Sequence, residues 1–498
     1  MGRVALLLLV TQTLVAREGP LSARIDVLLK DSPVVERAYW GIQILDLRTG
    51  QLLYNRNQDK LFTPASNTKL FSTALALQKL GPDHRFYTRV VSTVPAAPDG
   101  ILRSDLLLMG GGDMTLSARS LPYRPGPVEG DPLAPLASLA DQVVAAGVNR
   151  IEGDVVGDDT AYVWEPYPDG WTVDDAIWEY GAPASALIVG DNSIRITLQP
   201  SASSGGLAGL LVSPAFEYYV FQNHVETTAG GTRKISVHRL PASRLVRLWG
   251  TLPSSSRPSV QYLAVDDPAL YAAEVFQDLL IRRGVQITGE PVARHLLPGE
   301  IGDLTRGPNP RFLASGIELA KRTSPPLIES LRVIDKISQN LQAEVVLREV
   351  GRIRRDLGSR EAGLAELEAF LSEIGILPEA YHFEDASGLS RKTLVSPSAV
   401  VSLLRHMYHS PQRDAWLGLL PVGGEDGTLE HRYRGTAAAG RVRAKTGTIS
   451  HVSALSGYVD GRRGGQLAFS ILANHYDVPA AAVRDLTDKI VNLLASQW

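Results

Sequence analysis

Three short runs in this 498-residue chain carry residue types that could do chemistry. Ser66-Asn67-Thr68-Lys69 sets a hydroxyl and an amine three residues apart, which on a helix places them on one face. Ser338-Gln339-Asn340 adds a hydroxyl and an amide, and Lys445-Thr446-Gly447 adds a second amine and another hydroxyl. No other lysine has a serine three residues before it, no other asparagine has a serine two before it, and Lys-Thr-Gly occurs once. Each run alone is weak evidence, because four-residue matches arise by chance in a chain of this length. The three in this order form a set.

A serine hydroxyl is a poor nucleophile until a base takes its proton. No His-Asp partner is in evidence, and a lysine such as Lys69 can serve as the base if its amine is neutral. Burial and a second cation nearby both depress a lysine pKa, and Lys445 is the candidate cation. Backbone N–H groups at the start of the Ser66 helix point toward developing negative charge, as an oxyanion site requires. Ser338 is suited to relay a proton, and Asn340 to orient an amide with one donor and one acceptor. On a strand, Lys445 supplies charge, Thr446 a hydroxyl for a carboxylate, and Gly447 a clear path for an extended ligand along the strand edge.

Composition narrows the alternatives. Lys+Arg 50 against Asp+Glu 53 leaves a formal charge of −3 and argues against a nucleic-acid partner. There are no cysteines, which removes disulfides, thiolate metal sites and cysteine nucleophiles. With ten histidines and no His-Glu-x-x-His run, no metal or other cofactor is expected. Gly110-Gly111-Gly112 lacks the spacing of a phosphate-binding loop.

The elements that must position these residues read as follows. Met1-Gly2-Arg3 and the apolar Val4–Val15 read as a signal peptide over 1–16, too short for a bilayer core of about 30 Å, which needs roughly 20 residues. The chain is therefore expected to be exported, with at most peripheral membrane association. A helix over Ser22–Val35, a hairpin of Tyr39–Leu47 and Leu52–Tyr54, and a helix through Leu70, Ala74 and Leu77 ending at Gly81-Pro82 follow. From His84 to Pro310 short strands dominate, with helices at Leu133–Ala146 and Pro268–Arg283. Each of these runs through Gly-Val into a short Ile-x-Gly strand, read as a glycine helix stop or a weak internal repeat. Helices return at Leu327–Ile337, Leu341–Val350 and Glu361–Ile374. Strands at Val442–Lys445, Ala454–Val459 and Gln466–Ala473 precede a helix at Pro479–Leu494. Both chain ends thus carry matching helix-and-strand material around a distinct middle. The reading is an α+β domain, an antiparallel sheet flanked by helices, built from 22–84 and 310–498 and split by a large, mostly β inserted region over 85–309.

The motif set is that of penicillin-interacting serine enzymes. More narrowly, the chain resembles the D-alanyl-D-alanine carboxypeptidase/endopeptidase family related to penicillin-binding protein 4, the S13 serine peptidases. Gly110–Asp113, Gly153–Asp158, Ser387-Gly388-Leu389-Ser390-Arg391 and Asp426-Gly427-Thr428-Leu429 carry the resemblance besides the motifs. More than half of the chain separates Ser66 from Ser338, an insertion for which class A β-lactamases have no room. The resemblance implies a transpeptidase-like fold with Ser66 as acylated nucleophile and Lys69 as general base. Ser338, Asn340 and Lys445 would assist proton transfer and binding, Thr446 would hold a terminal carboxylate, and Gly447 would line the path. The N–H groups of Ser66 and Thr448 would hold the oxyanion. Asp175, Tyr180 and Arg391 would contact the substrate side chain, an acid–base set suited to a group such as diaminopimelate. Peptidoglycan stem peptides are the implied substrates and β-lactams the implied inhibitors. Gln339 replaces a common aspartate and Met114 a common proline.

Two alternatives stay open: a β-lactamase or esterase on the same fold, and a non-catalytic penicillin-binding or cell-wall module. A class A lactamase needs a glutamate with an asparagine four residues on, and Glu152, Glu165 and Glu179 lack it.

Overall fold

The computed structural model describes residues 20–309, 316–462 and 464–498; the expected signal segment lies outside them. Its central feature is a five-stranded antiparallel sheet assembled from both ends of the chain. The N-terminal hairpin supplies β1 (Tyr39–Asp46) and β2 (Leu52–Arg56); the C-terminal meander supplies β3 (Val442–Ile449), β4 (Val452–Asp460) and β5 (Gln466–Asn474). The order is β3-β4-β5-β1-β2, with Tyr39 opposite Asn474 and Lys445 opposite Ser456. In β4 and β5 nearly every residue is buried, so both faces are covered and the alternation of buried and exposed positions is lost.

One face carries α1 (Leu21–Lys30) and α6 (Ala480–Gln497); its core includes Trp40, Ile42, Phe469, Ile490 and Leu494. The other face carries α2 (Lys69–Lys79), α3 (Leu327–Lys336), α4 (Asn340–Arg355) and α5 (Pro397–His409). In α2 the nine residues Lys69 to Leu77 are all buried, so it is a core helix enclosed on every side. Helix α1 stops at Lys30, short of the expected Val35, ahead of Pro33.

The middle of the chain forms a second five-stranded sheet, ordered Pro291–Leu296, Val155–Val163, Leu106–Met109, Tyr87–Ser92, Ile317–Thr323, together with three smaller three-stranded sheets. The strand Ile317–Thr323 lies C-terminal to the boundary read at 310, yet it is an edge of this inserted sheet. The two helix–Gly-Val–strand segments lie side by side: Arg150–Ile151 pairs in parallel with Gln286–Ile287, and Val155–Val163 with Pro291–Leu296. The fold is therefore α+β, a helix-flanked antiparallel sheet with a large, mostly β insertion.

Candidate active site

Ser66 sits in the 3₁₀ turn Ala65–Thr68, one turn ahead of α2, whereas the Ser-x-x-Lys spacing predicts the α-helix to begin at the serine. Ala65 takes φ 47°, a left-handed value that costs an alanine about 1 kcal/mol. Asn67 holds the turn by donating from Nδ2 to the Lys445 carbonyl at 3.0 Å. Gly447 faces the same turn: a Cβ there would stand 2.7 Å from the Pro64 oxygen and 3.1 Å from the Ser66 nitrogen. Close approach of β3 to the nucleophile turn is thus what the glycine permits.

Lys69 is fully buried, and its Nζ lies 2.9 Å from Ser66 Oγ, 2.6 Å from Asn340 Oδ1 and 2.6 Å from the Ser387 carbonyl. An ammonium would donate to all three oxygens. A neutral amine has two N–H groups for the two short carbonyl contacts and a lone pair for the Ser66 hydroxyl. Burial drives the Lys69 pKa well below its ordinary value, and the Lys445 charge pushes it further down against Asp385, Glu344 and Asp335. The arrangement therefore holds a lysine able to accept the serine proton.

The Ser387 carbonyl owes its position to a built loop. Glu344, fully buried on α4, accepts from the N–H groups of Ala386 and Ser387 at 2.9 and 3.0 Å. Asp385 accepts from Ser387 Oγ, the Ser390 N–H and Thr393 Oγ1. Gly388, at φ 77°, packs so tightly that a Cβ would lie 1.9 Å from the Ala65 oxygen.

Ser338 occupies the junction between α3 and α4 with φ 67°. Lys445 Nζ donates to Ser338 Oγ at 2.9 Å and to the Thr446 carbonyl at 3.0 Å. Burial lowers the Lys445 pKa to about 8, opposed by Asp335. Thr446 Oγ1 donates to Thr428 Oγ1 at 2.9 Å, two hydroxyls side by side midway along β3. Asp335, in the last turn of α3, is fully buried, and burial lifts its carboxyl to about 7 against the pull of Lys445, Lys69 and Lys336.

The inserted region closes the other side. Asn340 donates from Nδ2 to the Tyr180 carbonyl at 2.7 Å, and Gln339 donates to Glu179 at 2.9 Å, so the residue that departs from the common aspartate ties the two regions together. Thr172 fixes Asp175 through its N–H and hydroxyl, and Arg391 Nη1 lies 3.5 Å from Asp175 Oδ2. Ser66, Ser338, Asn340, Thr448, Asp175, Tyr180 and Arg391 line one cavity of about 330 Å³. Lys69 and Lys445 are buried behind them. Of the other two residues read from the sequence, Gly447 packs against the Ser66 turn and Thr446 pairs with Thr428, outside the lining of this cavity. Thr428, Asp335, Asn67 and the Glu344–Ser387 support were not singled out for roles. Asn67, Ser387 and Thr428 lie inside quoted sequence stretches, whereas Asp335 and Glu344 carried no sequence signal.

The profile of the D-Ala-D-Ala carboxypeptidase 3 (S13) family matches residues 21–497. The chain belongs to this family. The D-alanyl-D-alanine carboxypeptidase of Actinomadura sp. (strain R39) is 36% identical over 482 residues, covering 94% of this chain and 84% of the relative. The crystal structure of penicillin-binding protein 4 (DacB) from Haemophilus influenzae matches with a TM-score of 0.79 at 24% identity, covering 95% of this chain and 99% of that one. A second structure of that protein, complexed with a β-lactam, matches with a TM-score of 0.73 at 22% identity. These two structures share this chain's fold. Among the described residues, no helix is long and apolar enough to cross a membrane, and no three His, Asp or Glu side chains are grouped to hold a metal ion.

Proposed function

We propose that this S13 enzyme is exported and hydrolyses the D-Ala-D-Ala bond of peptidoglycan stem peptides and the D-Ala–diaminopimelate bond of cross-links, through an ester on Ser66. The observation that carries this reading is the Lys69 amine, buried and depressed in pKa, 2.9 Å from the Ser66 hydroxyl.

Ser66 Oγ attacks the carbonyl carbon of the penultimate D-Ala while Lys69 takes its proton. Charge on the carbonyl oxygen is met by the N–H groups of Ser66 and Thr448. The C–N bond then breaks, and its nitrogen receives the proton that Lys69 took, relayed through Ser338, which Lys445 holds by hydrogen bond. D-Alanine, or the cross-linked amine, departs and leaves the acyl ester. Water attacks that ester as the neutral Lys69 takes its proton, and Lys69 returns that proton to Ser66 Oγ as the acyl C–O bond breaks and the shortened peptide leaves. The Thr446–Thr428 hydroxyl pair and the Lys445 charge receive the terminal carboxylate. Asp175 and Arg391, of opposite charge in the same cavity, suit a side chain bearing both an amine and a carboxylate.

A β-lactam presents its carboxylate and strained amide to the same groups and acylates the same serine. Intact mass after incubation with benzylpenicillin, with Ser66→Ala alongside, tests the assignment. A stoichiometric adduct on the wild type alone is expected, together with D-alanine release from a D-Ala-D-Ala peptide. An adduct on Ser66→Ala, or an adduct without D-alanine release, overturns it, and rapid drug consumption without an adduct would favour a β-lactamase.

A further inference from the structure

The molecule holds a second cavity, of about 550 Å³, larger than the one around Ser66. It is walled by the Ser117–Gly130 loop, by the strand residues Arg195 and Tyr262, and by Glu179 and Ile337. Its position follows from the direction of the first cavity. On the reading proposed above, the terminal carboxylate is held at Lys445–Thr446, midway along β3 beside Ser338 and Thr428, and the side-chain amine and carboxylate are met further along at Thr448 to Ser450, in the cavity that Asp175 and Arg391 line. An acyl donor lying along β3 therefore enters past Arg391, and whatever leaves departs past Ser338. Ile337, the neighbour of Ser338, lines the second cavity, and Glu179 reaches into it while bonded to Gln339. The Ser117–Gly130 loop also carries Tyr123, whose phenol pKa is raised first by burial and then by the Asp426 charge, which sets it near the Asp426–Leu429 stretch.

From this placement we infer that the second cavity is the subsite for the leaving strand, and that its ligand is an amphoteric peptide, the amine-donating stem of a cross-link. The inference rests on the hydrolytic reading of Ser66 given above. Departing D-alanine is a single amino acid and needs no cavity of this size. The leaving half of a cross-link is a peptide carrying free carboxylates and amides, and a volume of this order is typical of a peptide-sized ligand.

The lining chemistry fits. Arg119 is neutralised by Asp191 at 2.6 Å, and Asp191 is also held by Gln342 at 3.0 Å, so this pair builds the floor. Arg195 stands exposed on its strand directly opposite Tyr262, itself exposed, and offers a guanidinium and a phenol to a carboxylate. Glu129 and Glu179 supply acceptors for amide N–H groups or an amine. Burial raises the Glu179 carboxyl, and the Asp191 charge adds to that rise.

The test uses the full chain, Arg195→Ala and Tyr262→Ala, both changed at exposed strand positions that do not line the cavity around Ser66. Three quantities are measured: kcat/KM on a D-Ala-D-Ala pentapeptide, kcat/KM on the cross-linked dimer of the same stem, and calorimetric binding of the released L-Ala-γ-D-Glu-diaminopimelate tripeptide. The expected result is a loss of about tenfold or more on the dimer, carried by KM, with pentapeptide hydrolysis unchanged and tripeptide binding weakened in parallel. Equal losses on both substrates, no loss on either, or a wild type that cleaves the pentapeptide and not the dimer overturns the subsite. If the wild type cleaves neither substrate, the Ser66 reading fails by itself. Tripeptide binding lost in Arg195→Ala would then still support the cavity's ligand, and binding absent from the wild type would overturn it.

Discussion

The Asp335 carboxyl and the Thr73 hydroxyl lie 3.0 Å apart inside the protein, and the same hydroxyl is 2.6 Å from the Lys69 carbonyl. Thr73 has one proton and faces two acceptors. Both contacts are satisfied when Asp335 is protonated and donates to Thr73, which then donates to Lys69. Burial, which raises the carboxyl to about 7, agrees with that arrangement. A raised carboxyl holds its proton in the folded chain from the ordinary carboxylate range up to about pH 7, so this group's contribution to stability falls as pH rises through that window. Asp335→Asn fixes the neutral form. Urea unfolding from pH 4 to 8 is expected to show the wild type losing stability relative to the variant as pH rises. A constant difference would show that Asp335 does not titrate there.

The same substitution bears on catalysis through Lys445. Ionised Asp335 is what raises the Lys445 pKa against its burial, so its removal lets Lys445 lose its proton at lower pH. The alkaline limb of the pH–kcat/KM profile for carboxylate substrates is expected to move down by about one pH unit in Asp335→Asn, with KM carrying the change. Penicillin acylation rates measured from pH 6 to 9 would follow the same direction.

Lys445→Met removes the cation that depresses Lys69 and frees Ser338 from its donor. Two effects are expected together: the acid limb of acylation moves to higher pH, and kcat/KM falls by about 10²–10⁴-fold. A variant that keeps the wild-type acid limb would mean that burial alone sets the Lys69 pKa.

Gly388→Ala tests the support loop without touching a functional group. Its Cβ would collide with the Ala65 oxygen at 1.9 Å, and its φ of 77° disfavours any L side chain. A loss of about 2–4 kcal/mol in stability is expected by chemical denaturation. In the fraction that folds, the Ser387 carbonyl moves off Lys69 and slows acylation by benzylpenicillin.

What could be read from the sequence was what recurs locally. Leu70, Ala74 and Leu77 mark the helix behind Ser66, and the alternation from Tyr39 marks the strand that both chain ends share. Spacing alone set the three motifs in order, and the fold then brought Ser66, Lys69, Ser338, Asn340 and Lys445 into contact. Asp335 escaped because a carboxylate in an amphipathic helix reads as solvent-facing, and only tertiary packing buries it between three lysines. Helix α5 was passed over in the sequence, although Ser396 caps it through the Ala399 N–H. Gly447 was read for its open path, while its closest neighbours are in the Ser66 turn, a contact across most of the chain. The strand Ile317–Thr323 fell on the peptidase side because its partner Tyr87–Ser92 is remote in sequence and pairing leaves no local mark.

Substrate side-chain selectivity is expected to reside in Asp175 and Arg391. Asp175 is nearly buried and locked by Thr172, while Arg391 is 42% exposed and only 3.5 Å away at its closest approach, so the arginine can turn to a ligand carboxylate while the aspartate stays to meet an amine. Charge-assisted hydrogen bonds of this kind are worth about 1.5–3 kcal/mol, or roughly ten- to a hundredfold in kcat/KM. Arg391→Ala is therefore expected to lose that factor on a stem peptide ending its side chain in both an amine and a carboxylate, and little on one bearing a lysine side chain. Asp175→Asn should weaken both, since both carry the amine. Benzylpenicillin has neither group, and its acylation rate is expected to stay near wild type in both variants. A parallel fall in penicillin acylation would assign the two residues to the architecture of the Ser66 site instead of to side-chain recognition.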